Sequence, residues 1–146
     1  MARSGAGTTA SLPRHNVNHL FLGKTKAFSK AGKIVIESAM VKDEVPAIVC
    51  KTSIVDGDQH ATPEPVHGGP NRVVHHIPEE NYGILASALQ AAAHEFDASV
   101  LRPGCLGENV STTGLSAKDV CVGDIIRAGT ALLEVGRPLQ PDSDVW

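Results

Sequence analysis

Short apolar runs broken by glycine and proline dominate the chain. Residues 17–22 (VNHLFL), 33–41 (KIVIESAMV) and 45–51 (VPAIVCK) are rich in β-branched side chains, the pattern of strands. In the second run Ile34, Ile36 and Ser38 alternate with Val35, Glu37 and Ala39, so neither face is sharply polar. Residues 52–71 hold Pro63, Pro65, Pro70 and three glycines, a loop of a length that in compact domains accompanies function. Residues 72–77 predict a strand leaving that loop. Pro78 at a first helical position, followed by Glu79 and Glu80, predicts a helix start, because proline tolerates that position and acids favour the positive end of the helix dipole. Ile84, Leu85, Leu89, Ala92, Ala93 and Phe96 recur at helical spacing, giving one main amphipathic helix over about 79–95. Ser116 and Asp119 have the spacing of a capped turn, and residues 124–135 divide at Ala128-Gly129 into the two strands of a hairpin. The result is six or seven short strands and one helix. Strands do not alternate with helices as a parallel sheet requires, so the expectation is a mostly β, barrel-like domain. Residues 1–16, small and polar without a hydrophobic period, read as a flexible tail ahead of a single domain at 17–146.

Composition narrows the function classes. A chain of 146 residues buries roughly two-thirds of its unfolded surface, enough for a core without disulfides. Cys50, Cys105 and Cys121 form no CxxC pair, which argues against a disulfide framework and a sulfur-rich zinc site. The net charge is −3 and aromatic residues make up only 3%, so there is little to stack bases or neutralise a nucleic-acid backbone. Lys and Arg nevertheless outnumber acids eight to three over residues 1–55. No apolar run approaches the roughly 20 residues of a membrane span, and the N-terminus lacks the apolar stretch of a secretory signal. These features predict a cytoplasmic chain with neither nucleic-acid nor membrane partners.

The densest polar cluster is Asp56-Gly57-Asp58-Gln59-His60, then His67-Gly68-Gly69-Pro70-Asn71-Arg72, then His75-His76. Histidines and carboxylates on loop backbone are the donors of a first-row metal site, but His60, His67 and His75 match no short helical ligand motif, and hydrogen-bonded loop histidines are the plainer reading. His67-Gly68-Gly69 lets successive backbone N–H groups converge on an anion, with His67 and Arg72 adding charge; a tight turn feeding the next strand is the alternative. Glu108 reads equally as a surface charge at a strand end or as a site residue. Cys50 and Cys121 sit among apolar neighbours and read as buried small hydrophobes. Cys105, in the loop Arg102-Pro103-Gly104-Cys105-Leu106-Gly107, reads as the accessible thiol.

In order, Asp56-Gly57-Asp58 with His60, Val66 through His76, Tyr82, Pro103-Gly104 with Leu106 through Leu115, and Asp119 through Asp124 closely resemble the MOSC domain (molybdenum cofactor sulfurase C-terminal), in its stand-alone bacterial branch. The resemblance runs from about residue 17 to residue 141. It implies a β-rich barrel-like fold with a pocket for the molybdenum cofactor, supporting either sulfur transfer to that cofactor or reduction of N-hydroxylated compounds such as amidoximes. His67, Gly68, Gly69, Asn71 and Arg72 would form the rim, Gly107, Glu108 and Asn109 would line the pocket, and Asp58 and Arg137 would join the cofactor-binding set. No specific metal ligand is assigned. No pyridoxal phosphate is expected, since that cofactor belongs to a different domain of the fused sulfurases.

One departure matters. In the family a Pro-rich turn ends in a Pro-Cys pair whose thiol carries sulfur or binds molybdenum. Here the turn reads Arg137-Pro138-Leu139-Gln140-Pro141-Asp142, and a carboxylate cannot carry persulfide sulfur. If activity survives, Asp142 or Cys105 replaces that ligand. The chain runs only four residues further, which predicts a core without the C-terminal helical extension of its relatives. The alternative is a non-catalytic module for a small anion or pterin. A third reading is an interaction domain that pairs with a second copy.

Overall fold

β1 (Asn16–Leu22) organises the fold as an inner strand of a four-stranded sheet ordered β4-β1-β6-β5. It pairs antiparallel with β4 (Asp43–Glu44) and with β6 (Val110–Thr113), while β5 (His76–Pro78) lies parallel to β6. The computed structural model describes residues 13–30, 33–60, 69–92 and 97–136. A parallel pair needs a crossover rather than a tight turn. Here α1 (Glu80–Ala92) and a 3-10 turn at Ala98–Val100 provide it. A single β5-α1-β6 crossover suffices for two short strands, so one parallel pair stands in a sheet that is otherwise antiparallel.

Two hairpins stand beside this sheet: β2 (Lys26–Lys30) with β3 (Lys33–Ser38), and β7 (Ile125–Ala128) with β8 (Ala131–Glu134). The second is the hairpin predicted at Ala128-Gly129, and Gly129 turns at a φ of 61° that side-chain-bearing residues rarely adopt. Among the described residues these hairpins pair only with themselves. The fold is mostly β with one main helix, but among the described residues the strands form three separate sheets and do not close into the expected barrel, which would require every strand to pair on both sides.

Other expectations shift at their edges. Residues 45–51 form no strand: Val45 N–H donates to the Leu20 carbonyl at 2.9 Å, Pro46 then has no N–H to continue a ladder, and Cys50 makes an isolated bridge to Val55. The strand expected at 72–77 begins only at His76, and Pro78 closes it instead of opening the helix. Tyr82 is the buried side chain of α1, whereas Ile84 is 68% exposed, so the apolar stripe is only partly covered. Residues 93–96, the end of the predicted helix, lie outside the described residues, as do residues 1–12 of the expected tail. Asn16, placed in that tail, instead heads β1 opposite Thr113. No helix among the described residues is long and apolar enough to cross a membrane.

Among the described residues the buried apolar side chains include Phe21, Ala39, Val55, Tyr82 and Val110, and the buried polar ones include Lys42, Asp58, Glu108, Asn109, Ser111 and Thr112. A centre this polar is stable only where its groups are paired, and the pairing defines the site region.

Candidate functional site

Asp58 is the hub. Gly57, at a φ of 80°, closes the turn in which Asp58 N–H reaches the Val55 carbonyl at 3.1 Å. The Asp58 carboxylate accepts from Gly23 N–H at 2.6 Å, Lys42 Nζ at 2.7 Å and Asn109 Nδ2 at 3.0 Å. The Lys42 and Asp58 side chains are only 4% and 2% exposed. Burial alone would raise the Asp58 carboxyl, but the bonds from Lys42, Asn109 and Gly23 outweigh it and hold the group below the usual carboxylate range. For Lys42 burial dominates and pulls the ammonium below its ordinary value despite the bond to Asp58. Gly23 is required for this approach, since a Cβ there would lie 2.9 Å from the Ala39 carbonyl oxygen.

Asn109 ties this hub to the sheet. Its amide also donates to the Phe21 carbonyl at 3.3 Å, its Oδ1 accepts from His75 N–H at 3.2 Å, and its own N–H donates to the His75 carbonyl at 2.7 Å. Glu108 beside it is fully buried and accepts from the Tyr82 hydroxyl and from Leu106 N–H at 3.1 Å. Burial first, and the Glu108 carboxylate second, push the Tyr82 hydroxyl far above its ordinary value and keep it a donor. Burial also lowers His75 and His76, which favours neutral rings; His75 bonds the Gly107 backbone and His76 Nε2 lies 2.7 Å from Thr112 Oγ1.

The structure therefore brings Asp58, Glu108 and Asn109 together, with their polar atoms engaged by the chain itself. Burial overturns the surface-charge reading of Glu108. Gly107, at a φ of 82°, sits in the adjoining loop against Met40 and His75. Gly69, Asn71 and Arg72 form a separate tight turn, closed by Arg72 N–H on the Gly69 carbonyl at 2.9 Å, with Gly69 buried and Asn71 and Arg72 exposed. Gly136 approaches that turn: a Cβ on it would lie 3.6 Å from the Asn71 carbonyl oxygen, so the chain passes the turn just before Arg137. His67, Gly68, Arg137 and Asp142 lie outside the described residues.

The thiols differ from expectation. Cys105 is half-buried rather than accessible, and burial, reinforced by the Glu108 charge, raises its pKa. Burial likewise raises half-buried Cys50, whereas Cys121, expected inside, is exposed in the turn that feeds β7. His60 Nε2 stands 3.4 Å from Asp58 Oδ2, yet among the described residues no three His, Cys, Asp or Glu side chains form a group that could hold a metal ion. Lys42 was not anticipated as part of the site region; the signal was a lysine ending the apolar run 39–41, in a sequence where lysines otherwise read as surface.

A cleft of about 340 Å³ opens beside the Asp58 hub, lined by residues that include His19, Phe21, Lys26, Lys42, Asp43 and Arg102, with Pro103 at its edge and without Asp58, Glu108 or Asn109. Its charges are largely satisfied internally. Lys26 pairs with Asp43 at 2.8 Å, and His19 bridges Glu44 at 2.7 Å and Glu79 at 3.3 Å.

Comparison with known proteins places the chain. The family model described as MOSC domain matches residues 63–142. Protein YiiM of Escherichia coli strain K12 is 37% identical over 123 residues, which is 84% of this chain and 50% of YiiM. A protein named reductase from Gibberella moniliformis is 32% identical over 151 residues, 94% of this chain and 26% of that protein. The crystal structure of YiiM from Geobacillus stearothermophilus superposes with a TM-score of 0.55 at 25% identity, covering 90% of this chain and 54% of that one. The chain thus spans about half the length of YiiM and about a quarter of the reductase.

Proposed function

The chain belongs to the MOSC domain family, and from that premise we propose that it carries a molybdenum-cofactor-type pocket with its rim at Gly69, Asn71 and Arg72. In sequence His67 and Gly68 precede that rim, and Arg137 follows Gly136. The observation that supports this reading is the approach of Gly136 to the Asn71 carbonyl, which brings two segments far apart in sequence to one place. Asp58, Glu108 and Asn109 act in it as positioning residues, since their oxygens and amide hold Gly23, Lys42, Tyr82 and the strand ends rather than facing outward.

The donor set fits an anion and does not fit sulfur carriage. Backbone N–H groups at the Gly-rich turn and the Arg72 charge suit an oxyanion or pterin phosphate. Asp142 stands where the family's thiol would be, and the raised pKa of Cys105 favours a neutral thiol where a thiolate would be needed. When bound, the molybdenum cofactor supplies a redox-active metal. This chain's own contribution is to bind and orient the anionic end. The match over 94% of the chain to a protein named reductase favours, as a second reading, reduction of N-hydroxylated compounds at the same pocket.

Expression in a host that makes the molybdenum cofactor tests the pocket. Elemental analysis and the fluorescence of the oxidised pterin are expected to show both on the wild-type chain, with no sulfur released by cyanide. Asp142→Cys is expected to gain cyanide-labile sulfur. Neither pterin nor molybdenum on either protein refutes the pocket.

A further inference from the structure

Among the described residues, the β7–β8 hairpin presents an unpartnered face with a specific pattern. The burial of its strands alternates, with Ile126, Ala128, Ala131 and Leu133 half-buried and Ile125, Arg127, Leu132 and Glu134 exposed. Ile125 and Leu132 are 61% and 60% exposed, unusually high for such residues in neighbouring strands. The register sets Ile125 opposite Glu134 and Arg127 opposite Leu132. The exposed face is thus a four-cornered plate. Its apolar side chains share one diagonal, and its opposite charges share the other.

We propose that this face pairs with the same face of a second copy of the chain, about a two-fold axis lying along the Ile125–Leu132 diagonal. Four two-fold placements bring the plate against itself in its own plane. An axis along the strands sets Ile125 on Glu134 and Arg127 on Leu132. An axis across the strands sets Ile125 on Arg127 and Leu132 on Glu134. An axis along the charged diagonal stacks arginine on arginine and glutamate on glutamate. Only the apolar diagonal stacks Ile125 on Ile125 and Leu132 on Leu132 while carrying each Arg127 over the partner's Glu134. With strands about 5 Å apart and alternate residues about 7 Å apart, that rotation brings the charged positions within about 3 Å of registry, which two long side chains absorb. The pairing is isologous, as two-fold dimers require. Four side chains from each copy cover less than the roughly 1,200 Å² at which standard specific interfaces begin, so the dimer is weak and concentration-dependent.

Sedimentation velocity over a hundredfold range of concentration is the test, on the whole 146-residue chain. Wild type is expected to shift from monomer to dimer as concentration rises. Arg127→Glu and Glu134→Arg are each expected to lose about tenfold in association, because each sets like charges against one another in the homodimer. An equimolar mixture of the two variants is expected to recover the dimer, since each then meets its complement. Leu132→Gln is expected to weaken association without rescue by mixing. All four positions are exposed, so unchanged far-UV circular dichroism confirms folding. A wild type that stays monomeric overturns the proposal, whether the face is covered by the chain's own residues or by a different partner. Dimers that survive both charge reversals, or a mixture that stays monomeric, overturn it equally.

Discussion

Replacing Lys42 by methionine keeps the reach of the side chain and removes its charge. Asp58 would keep its bonds from Gly23 N–H and Asn109 Nδ2 but lose the ammonium at 2.7 Å, at a position where its side chain is 2% exposed. Leaving one member of a buried pair uncompensated costs about 3–5 kcal/mol, a large part of the roughly 5–15 kcal/mol by which domains are stable. Unfolding entropy for a chain of this length is about 0.3 kcal/mol per kelvin, so Tm should fall by about 10–16 °C. Asp58→Asn in the Lys42→Met background neutralises the orphaned charge and should bring stability back to within about 2 kcal/mol of wild type, since replacing both charges costs far less than removing one. Urea denaturation of the four proteins of this cycle at pH 7 measures the coupling, which is about 4 kcal/mol or more if each single change costs about 3–5 kcal/mol and the double change no more than about 2. The acid side gives an independent check. The Asp58 carboxyl is held below its ordinary value in the folded chain, so its contribution is complete above the unfolded pKa near 4 and disappears as pH falls through the lower folded value. Asp58→Asn should lack that part of the acid-side loss. A Lys42→Met cost below about 1 kcal/mol, or simple additivity in the cycle, would refute the view that this pair holds the centre of the fold.

Gly104→Ala is expected to destabilise by at least about 2 kcal/mol, because position 104 has a φ of 92° and the new Cβ would meet the Phe21 ring at 3.0 Å and the Lys42 carbonyl oxygen at 3.1 Å. Thermal melts against a Gly123→Ala control, where the φ is 93° but no atom lies within 4 Å of the new Cβ, separate the steric part. Thiol labelling at pH 8 should modify exposed Cys121 at least about tenfold faster than Cys50 or Cys105, whose thiols burial raises. Equal rates at all three would show that the loop carrying Cys105 opens readily.

Local signals made much of this fold legible. The apolar run Leu20-Phe21-Leu22 of β1, the glycine of the β7–β8 turn and the helical spacing of α1 each depend on a few adjacent residues. What was missed depends on distant ones. β6 reads as a polar segment because Ser111 and Thr112 look like surface, yet both are buried, with the Ser111 hydroxyl donating to the Ile77 carbonyl at 3.0 Å. β2, with two lysines in five residues, gives no apolar pattern at all. Asp58, Glu108 and Asn109 stand out in the sequence as polar residues in glycine-rich loops, but their partners Lys42 and Tyr82 lie 16 and 26 residues from the groups they bind. A spacing rule finds the carboxylates without finding what satisfies them.

β1 also sets a schedule for synthesis. Its Asn18 bonds Thr113, a residue 95 positions later, and Phe21 N–H donates to the Asn109 carbonyl. At ribosomal rates of about 5–20 residues per second, the first strand waits roughly 5–20 s for β6, the neighbour that joins it to the crossover. During that interval the nascent chain has only β4 and its own hairpin to shelter the apolar residues around Phe21. The order of the strands thus leaves the apolar residues around Phe21 without their β6 neighbour until residues 110–113 have been made.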